Sequence, residues 1–352
     1  MPEIIGDNID RLVTVELKKA KNRMRGRLHF FYEAAREKVG GKPISFVAAS
    51  RLMEQVHRGD NVIVTTGTSC PTMPHGETDG PPGAAAIART ICFGLGATPI
   101  YVVAKGDIDP VVATSRAAGL NVDSYEMAKP AERFAAVAEY PYGEAEARKA
   151  AKDILDTYSP KALIGVETMG PNVKDIVHSS LGYAINGMAP LHHLYDEARA
   201  RGILTIGCLD NGNEIGSGLI AETISKIAPF GPVCRCPCQA GIGCVTPTDV
   251  AFPVITSNWG AYGIAAMLAF MLKDASLLHD SAMELRMIDA CTGAGGVDAQ
   301  SLSTNLIVDG IPTRCHPGVV DILHGIVENG LYEGNPNALS DVLSRTGVNL
   351  KV

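Results

Sequence analysis

The chain has 352 residues, 46% of them apolar and 20% charged, so it can bury a sizeable core and is too apolar to be disordered. At roughly 100–200 residues per domain, that length fits two domains or one large α/β domain. The net charge of −7, from 31 basic and 38 acidic residues, argues against a general nucleic-acid coat, because phosphate binding needs a basic footprint.

From the N-terminus, Glu3, Asp7 and Asp10 come early without an apolar stretch, so neither a secretory signal nor an acid-poor transit peptide fits, and a cytoplasmic protein is expected. Ile9, Leu12, Val13, Leu17, Ala20, Met24, Leu28, Phe31 and Ala35 recur at three- and four-residue spacing, which predicts an amphipathic N-terminal helix. Its opposite face is basic: residues 11–38 hold nine Lys/Arg against Glu16, Glu33 and Glu37, a local +6 that leaves −13 on the rest. That face is either simply solvated or meets an anion, a nucleic acid or a neighbouring subunit; packing within a homo-oligomer is the expectation. Residues 1–45 are read as this helical segment and 46–352 as a catalytic α/β domain.

Beyond it, short β-rich runs alternate with Ala-rich segments. Strands are predicted at 61–66, 99–104, 162–166, 203–209 and 250–256. Helices are predicted at 83–95, 144–157, 190–201, 260–273 and 319–329. The alternation implies a mostly parallel or mixed sheet covered by helices on both faces, with ligands at the carboxyl ends of strands near a topological switch point. The longest apolar run, residues 259–272, ends at Lys273-Asp274 and has the length of a buried core helix, so no membrane span is expected.

Three strand ends carry acidic, Gly-rich loops. The first reads Thr66-Gly67-Thr68-Ser69-Cys70-Pro71, then Glu77-Thr78-Asp79-Gly80-Pro81-Pro82-Gly83-Ala84. Its two acids can project toward one point, and the helix start at Gly83 offers N–H groups to an anion; an ordinary acidic helix cap is the plainer reading. The second is Glu167-Thr168-Met169-Gly170-Pro171-Asn172. In the third, Asp210-Asn211-Gly212-Asn213-Glu214-Ile215-Gly216, Asp, Asn and Glu crowd hard oxygen donors into a loop that also reads as an Asx-rich turn. If Glu77, Asp79, Glu167, Asp210 and Glu214 converge, five negative charges share one sheet edge and cannot all ionise without protons or cations. One divalent ion leaves −3 and two leave −1. Oxygen donors without HExxH spacing favour Mg²⁺ or Mn²⁺ over Zn²⁺.

Cys234, Cys236 and Cys238 with Cys244 form a cluster that lacks a clean second pair for structural zinc; a metal site, a reactive thiol beside Arg235 and a tight loop of small buried side chains remain open. Ser257-Asn258-Trp259-Gly260 stands at a strand-to-helix junction, as either a helix cap or a pocket wall. His192 and His193, adjacent on a helix, are expected to point apart and not to chelate.

The order of Glu77–Ala84, Asp210–Gly216, Ser257-Asn258-Trp259-Gly260-Ala261-Tyr262 and Val308-Asp309-Gly310 resembles the D-glutamate cyclase C-terminal domain family over about residues 50–335. Departures are Leu209 and Asn211, where the family usually has glycines, and Asp298, which falls two places late after Gly293-Ala294-Gly295-Gly296. The resemblance implies a small amino-acid or lactam substrate, interconversion of D-glutamate with 5-oxo-D-proline and water or opening of a related ring, and makes a cation site plausible. On that basis Glu77, Asp79, Glu167, Asp210 and Glu214 are expected to hold one or two Mn²⁺ or Mg²⁺ ions, with Glu167, Asp210 and Glu214 catalytic and Glu167 the proton shuttle. Thr66, Gly67, Thr68, Ser69, Gly83, Asn172, Asn213, Asn258 and Trp259 are expected to hold the substrate. The competing reading is a divalent-cation-dependent phosphatase acting on a small phosphate ester.

Overall fold

The computed structural model describes residues 1–18 and 25–334, with single positions 342 and 345. Seven strands, β1 (Asn61–Gly67), β2 (Thr98–Ala104), β3 (Asn121–Asp123), β4 (Phe134–Tyr140), β5 (Ala162–Thr168), β6 (Leu204–Leu209) and β7 (Val250–Pro253), form one sheet ordered β3-β4-β2-β1-β5-β6-β7. Every pairing is parallel. The expected α/β layering is therefore present, with a wholly parallel sheet. All seven residues of β1 and of β5 are buried, as helices on both faces require. Side chains alternate between the faces: Val62, Val64, Tyr101, Val103, Ile164 and Val166 enter the larger core, Ile63, Ile100, Val102 and Leu163 the smaller.

The helices are α1 (Pro2–Val13), α2 (Leu28–Lys38), α3 (Ile44–Gln55), α4 (Pro81–Thr90), α5 (Ile108–Ala117), α6 (Tyr125–Ala128), α7 (Glu144–Tyr158), α8 (His192–Ala200), α9 (Ala221–Ile227), α10 (Ser257–Met271), α11 (Ser281–Gly293) and α12 (Cys315–Leu331). Helices α6, α7 and α8 cover the smaller core, and the others supply the larger one. Helix α10 is buried on every side from Ser257 to Phe270, which explains an apolar run without amphipathic period. Among the described residues no helix is long and apolar enough to cross a membrane.

The N-terminal helix is present and buries Ile5, Ile9 and Val13, but the periodicity to Ala35 is not one continuous helix. Helix α1 stops at Val13, where Thr14 Oγ1 donates back to the Asp10 carbonyl (2.7 Å) and Ile255 N donates to the Val13 carbonyl (3.1 Å). Residues Thr14–Lys18 then leave the helix axis, and the pattern resumes in α2; Ala20 and Met24 lie outside the described residues. Buried Asp10 locks the arrangement, accepting from Tyr32 OH (2.7 Å) and from Ile44 N (2.6 Å) and Ser45 N (3.2 Å) at the start of α3, where a carboxylate suits the helix dipole.

From β1 the chain builds β2, β3 and β4 on one side of the sheet, then returns across β1 to build β5, β6 and β7 on the other. The carboxyl ends of β1 and β5 thus flank the switch point where parallel sheets place ligands.

Candidate active site

The loops that follow β1, β5 and β6 converge at this switch point. Pro81 and Pro82 start α4, positions where a missing N–H costs nothing. The turn before it fits only because Gly80 has φ +113° and no Cβ, which would lie 2.3 Å from Thr66 Oγ1. Asn258 Oδ1 accepts from Gly80 N (2.9 Å) and Gly83 N (2.7 Å), while its Nδ2 donates to the Thr78 carbonyl (3.0 Å). The Gly83 N–H expected to meet a substrate anion therefore has an internal partner. In return Asp79 accepts from Ser257 N and Asn258 N, both at 2.9 Å, and caps α10. The two loops splice α4 to α10.

The expected convergence of acids is present. Oxygens of Asp79, Asp210 and Asp309 lie within 4.8 Å of one another, as do those of Glu167, Asp210 and Glu214. Glu77 adjoins them and feels Asp79 and Asp210. Burial raises the carboxyls of Glu77 and Glu167 well above the usual range; the charge of Asp79 adds most to the first and that of Asp210 to the second. Burial and then Asp210 push Asp79 up. Asp210 itself is pushed up to about 8 by burial, with Lys18 opposing and Glu214 adding to the shift.

Lys18 Nζ reaches this cluster from the segment after α1 and makes ion pairs with Asp210 and Asp309, its side chain almost wholly buried. Burial works against its charge, but attraction to Asp210, Asp79 and Glu167 wins and holds it above its ordinary value. A residue of the basic face expected to be solvated or to meet an anion, a nucleic acid or a neighbouring subunit is thus, among the described residues, the one internal cation among six acids. Asp309 is the sixth; sequence reasoning met it only inside the Val308-Asp309-Gly310 match. It sits at φ +47°, in a turn held by Gln300 Nε2 on its carbonyl and carboxylate (both 2.9 Å) and by Asp298 Oδ1 accepting from Gly310 N (2.8 Å).

Glu167 is aimed by a bulge. The β1–β5 register pairs Thr66 with Val166 and then Gly67 with Thr168, leaving Glu167 extra, at φ +52°. Such a backbone costs about 1–3 kcal/mol and clusters at functional sites. Its Oε2 accepts from Ser257 Oγ (2.6 Å). Glu214 has a different local duty, accepting from Asn211 N (2.9 Å) and Gly212 N (2.8 Å) and so closing its own loop.

Above the acids lies a cavity of about 1050 Å³ whose lining includes Thr68, Glu77, Glu167, Asn211, Asn213 and Asp309, with Met169, Met188, Leu181 and Tyr183 giving it apolar walls. No Lys, Arg or His is among the described residues that line it. Asn213 Nδ2 donates to the His178 carbonyl (2.7 Å), while its buried Oδ1 has no partner among the described residues. Of the other expected substrate contacts, Thr66 is buried with its Oγ1 similarly unsatisfied. Gly67 and Ser69 pack on Asp107, to which Ser69 donates from N (3.0 Å) and Oγ (2.7 Å). Asn172 donates to the Gly241 carbonyl (2.7 Å), and Trp259 Nε1 to His316 Nδ1 (3.2 Å); these two tie elements together away from the lining. His192 and His193 do not diverge: their rings lie 3.9 Å apart, and with Glu144 their donor atoms come within 4.8 Å.

Two comparisons bear on this arrangement. A curated relative, "D-glutamate cyclase, mitochondrial" of Homo sapiens, is 27% identical over 226 residues, which is 61% of this chain and 33% of the human protein. The chain therefore spans about a third of that relative's length. The profile of the family described as "D-glutamate cyclase-like, C-terminal" matches residues 29–324, a span that takes in every strand and all six acids, and the chain accordingly belongs to the D-glutamate cyclase-like C-terminal family.

Proposed function

We propose that the chain is a divalent-cation-dependent enzyme of the D-glutamate cyclase type, a lyase that closes D-glutamate to 5-oxo-D-proline and water, or a cyclic-amide hydrolase that opens a related ring. The observation that carries the reading is a cluster of six buried carboxylates, three of which (Glu77, Glu167 and Asp309) line the cavity, against one lysine among the described residues, in a fold of this family. Asp309 and Lys18 cancel, so the balance is unchanged from the five-acid sum: −5 bare, −3 with one dication, −1 with two.

The donor set fits a hard cation, being all carboxylate oxygen and too crowded to stay ionised unaided. Asp79, Asp210 and Asp309 would hold one ion, and Glu167, Asp210 and Glu214 a second, either Mn²⁺ or Mg²⁺. When bound, the ion supplies charge neutralisation and Lewis-acid polarisation of the reacting carbonyl. The chain's own groups do the rest. Glu167, whose carboxyl burial and Asp210 hold above the usual range, is oriented by Ser257; through an oxygen not used as a ligand it would give a proton to the departing oxygen in ring closure, or to the ring nitrogen in opening, and take it back on reversal. Thr68, Asn211 and the free Oδ1 of Asn213 orient the substrate's polar groups. The described residues of the lining offer an anionic substrate no lysine or arginine, and a cation bound at the acids would balance charge for its carboxylate.

The test is a panel of D- and L-glutamate, 5-oxoproline enantiomers, other small lactams and phosphate esters, each assayed with chelator and with added Mn²⁺. Lactam or D-glutamate turnover restored by Mn²⁺ supports the reading. Turnover confined to phosphate esters would replace it with the phosphatase.

A further inference from the structure

The acid cluster uses none of the cysteines, yet three of them converge elsewhere. Cys234, Cys236 and Cys238 Sγ atoms lie 3.5, 3.3 and 3.1 Å apart pairwise. His178 Nε2, far away in sequence, stands 3.2 Å from Cys236 Sγ and 3.7 Å from Cys238 Sγ. All four donor atoms lie within 4.8 Å of one another, and three of the four residues are buried. We propose that His178, Cys234, Cys236 and Cys238 form a closed structural zinc site.

The geometry fits a single ion. Zinc at 2.3 Å from sulfur and 2.0–2.1 Å from nitrogen sets tetrahedral edges of about 3.8 Å (S···S) and about 3.6 Å (S···N), within several tenths of an ångström of those seen. The imidazole is already presented correctly. Nδ1 lies 2.9 Å from the Ile176 carbonyl, which can only accept; the proton therefore sits on Nδ1, and the Nε2 lone pair faces the sulfurs. That is the orienting contact metal-bound histidines usually carry. Three Cys and one His make a complete structural set with no open position, and the four atoms leave room for one ion rather than a polynuclear cluster. Binding would displace the three thiol protons, leaving a site charge of −1.

The position gives the ion a purpose. His178 belongs to the loop after β5, and the three cysteines to the loop before β7, both of which supply walls of the cavity. The strands are fixed by the sheet, but these walls have little of it. Asn172 bridges the same two loops through Gly241, and Asn213 holds the His178 carbonyl from the acidic loop. A zinc ion there staples one cavity wall to the other and to the loop that carries Asp210.

The test uses the full chain produced with zinc and, separately, with Co²⁺ as the probe. We expect about one zinc per chain to survive dialysis, and the cobalt form to show thiolate-to-metal charge-transfer absorption with tetrahedral ligand-field bands. Cys234→Ser with Cys236→Ser should abolish both. Asp210→Asn should leave both intact, which separates this site from the acid cluster. His178→Cys should retain the metal and shift the cobalt bands. Should the double variant fail to fold, the wild-type cobalt spectrum still decides. Absence of thiolate-to-cobalt absorption in wild type, or zinc lost in Asp210→Asn but kept in the cysteine variant, would overturn the proposal.

Discussion

Lys18→Met keeps the aliphatic stem and removes the one internal cation that the described residues place in the acid cluster. Lys18, Asp210 and Asp309 have side chains only 2%, 1% and 10% exposed, so the ion pairs are scarcely screened. Deleting one partner of such a pair costs about 3–5 kcal/mol, because it strands buried charge. Protonation offers partial escape. Asp210 is pushed up to about 8 even with Lys18 beside it. A carboxyl whose folded value lies above its unfolded value near 3.9 stabilises most below the latter, and that contribution is lost as pH rises through the former. In chelator, the deficit of the variant should therefore be small near pH 5 and reach about 3–5 kcal/mol near pH 9. A cation that binds only the folded chain returns about 2.7 kcal/mol at a hundred times its dissociation constant. The return should be larger in Lys18→Met, where no ammonium competes for Asp210 and Asp309. Urea unfolding of both proteins in the same chelator, then in saturating Mn²⁺, reads these differences while effects elsewhere cancel. A variant within about 0.5 kcal/mol of wild type at pH 9, or a deficit indifferent to Mn²⁺, would refute the electrostatic reasoning.

Other outcomes follow from the same contacts. Asp79→Ala leaves the N–H groups of Ser257 and Asn258 without acceptors, and at about 1–3 kcal/mol each, less the relief of charge crowding, a net loss of about 2–4 kcal/mol is expected in urea; Asp79→Asn, with one acceptor oxygen, should recover part of it. Gly80→Ala forces a Cβ to 2.3 Å from Thr66 Oγ1 at φ +113°, whereas Gly119→Ala, at φ +78° with nothing within 4 Å, bears the backbone cost alone; the first should lose clearly more stability than the second. His316 accepts from Trp259, and burial holds its imidazole below the ordinary value. Its unfolded form therefore takes up a proton first, so stability is full above about pH 6.5 and falls below it at up to about 1.4 kcal/mol per pH unit. His316→Gln should flatten that acid limb by one proton, read from urea midpoints between pH 5 and 7.5.

Much of this architecture is legible in the residues. Val/Ile-rich runs closed by Gly or Asp located five strands, because a strand buried on both faces must be apolar throughout. The missed β3 and β4 lie at one sheet margin, where Asn121-Val122-Asp123 has a single buried residue and Phe134–Tyr140 is built on alanine, a residue with no strand signature. The acids were legible as an excess of charge at strand ends that ordinary caps do not require. Lys18 was not, since its apolar neighbours keep helical spacing while the backbone departs from the helix after Val13. His178 was equally hidden, because ligand spacing is read locally and this residue meets the cysteines only through the fold. The Gly83 and Asn258 signals were genuine but ambiguous: groups that could grip a substrate instead grip each other, and pattern alone does not separate an internal cap from an external one.

Asp210 is the acid shared by both oxygen clusters and is paired with Lys18. The direct measurement is turnover of D-glutamate and 5-oxo-D-proline by wild type and Asp210→Asn, with Mn²⁺ binding followed by calorimetry on the same samples. Asp210→Asn is expected to keep its fold by circular dichroism, lose turnover and bind Mn²⁺ more weakly by about tenfold or more. A folded Asp210→Asn that turns over substrate at the wild-type rate, with or without Mn²⁺, would contradict that expectation.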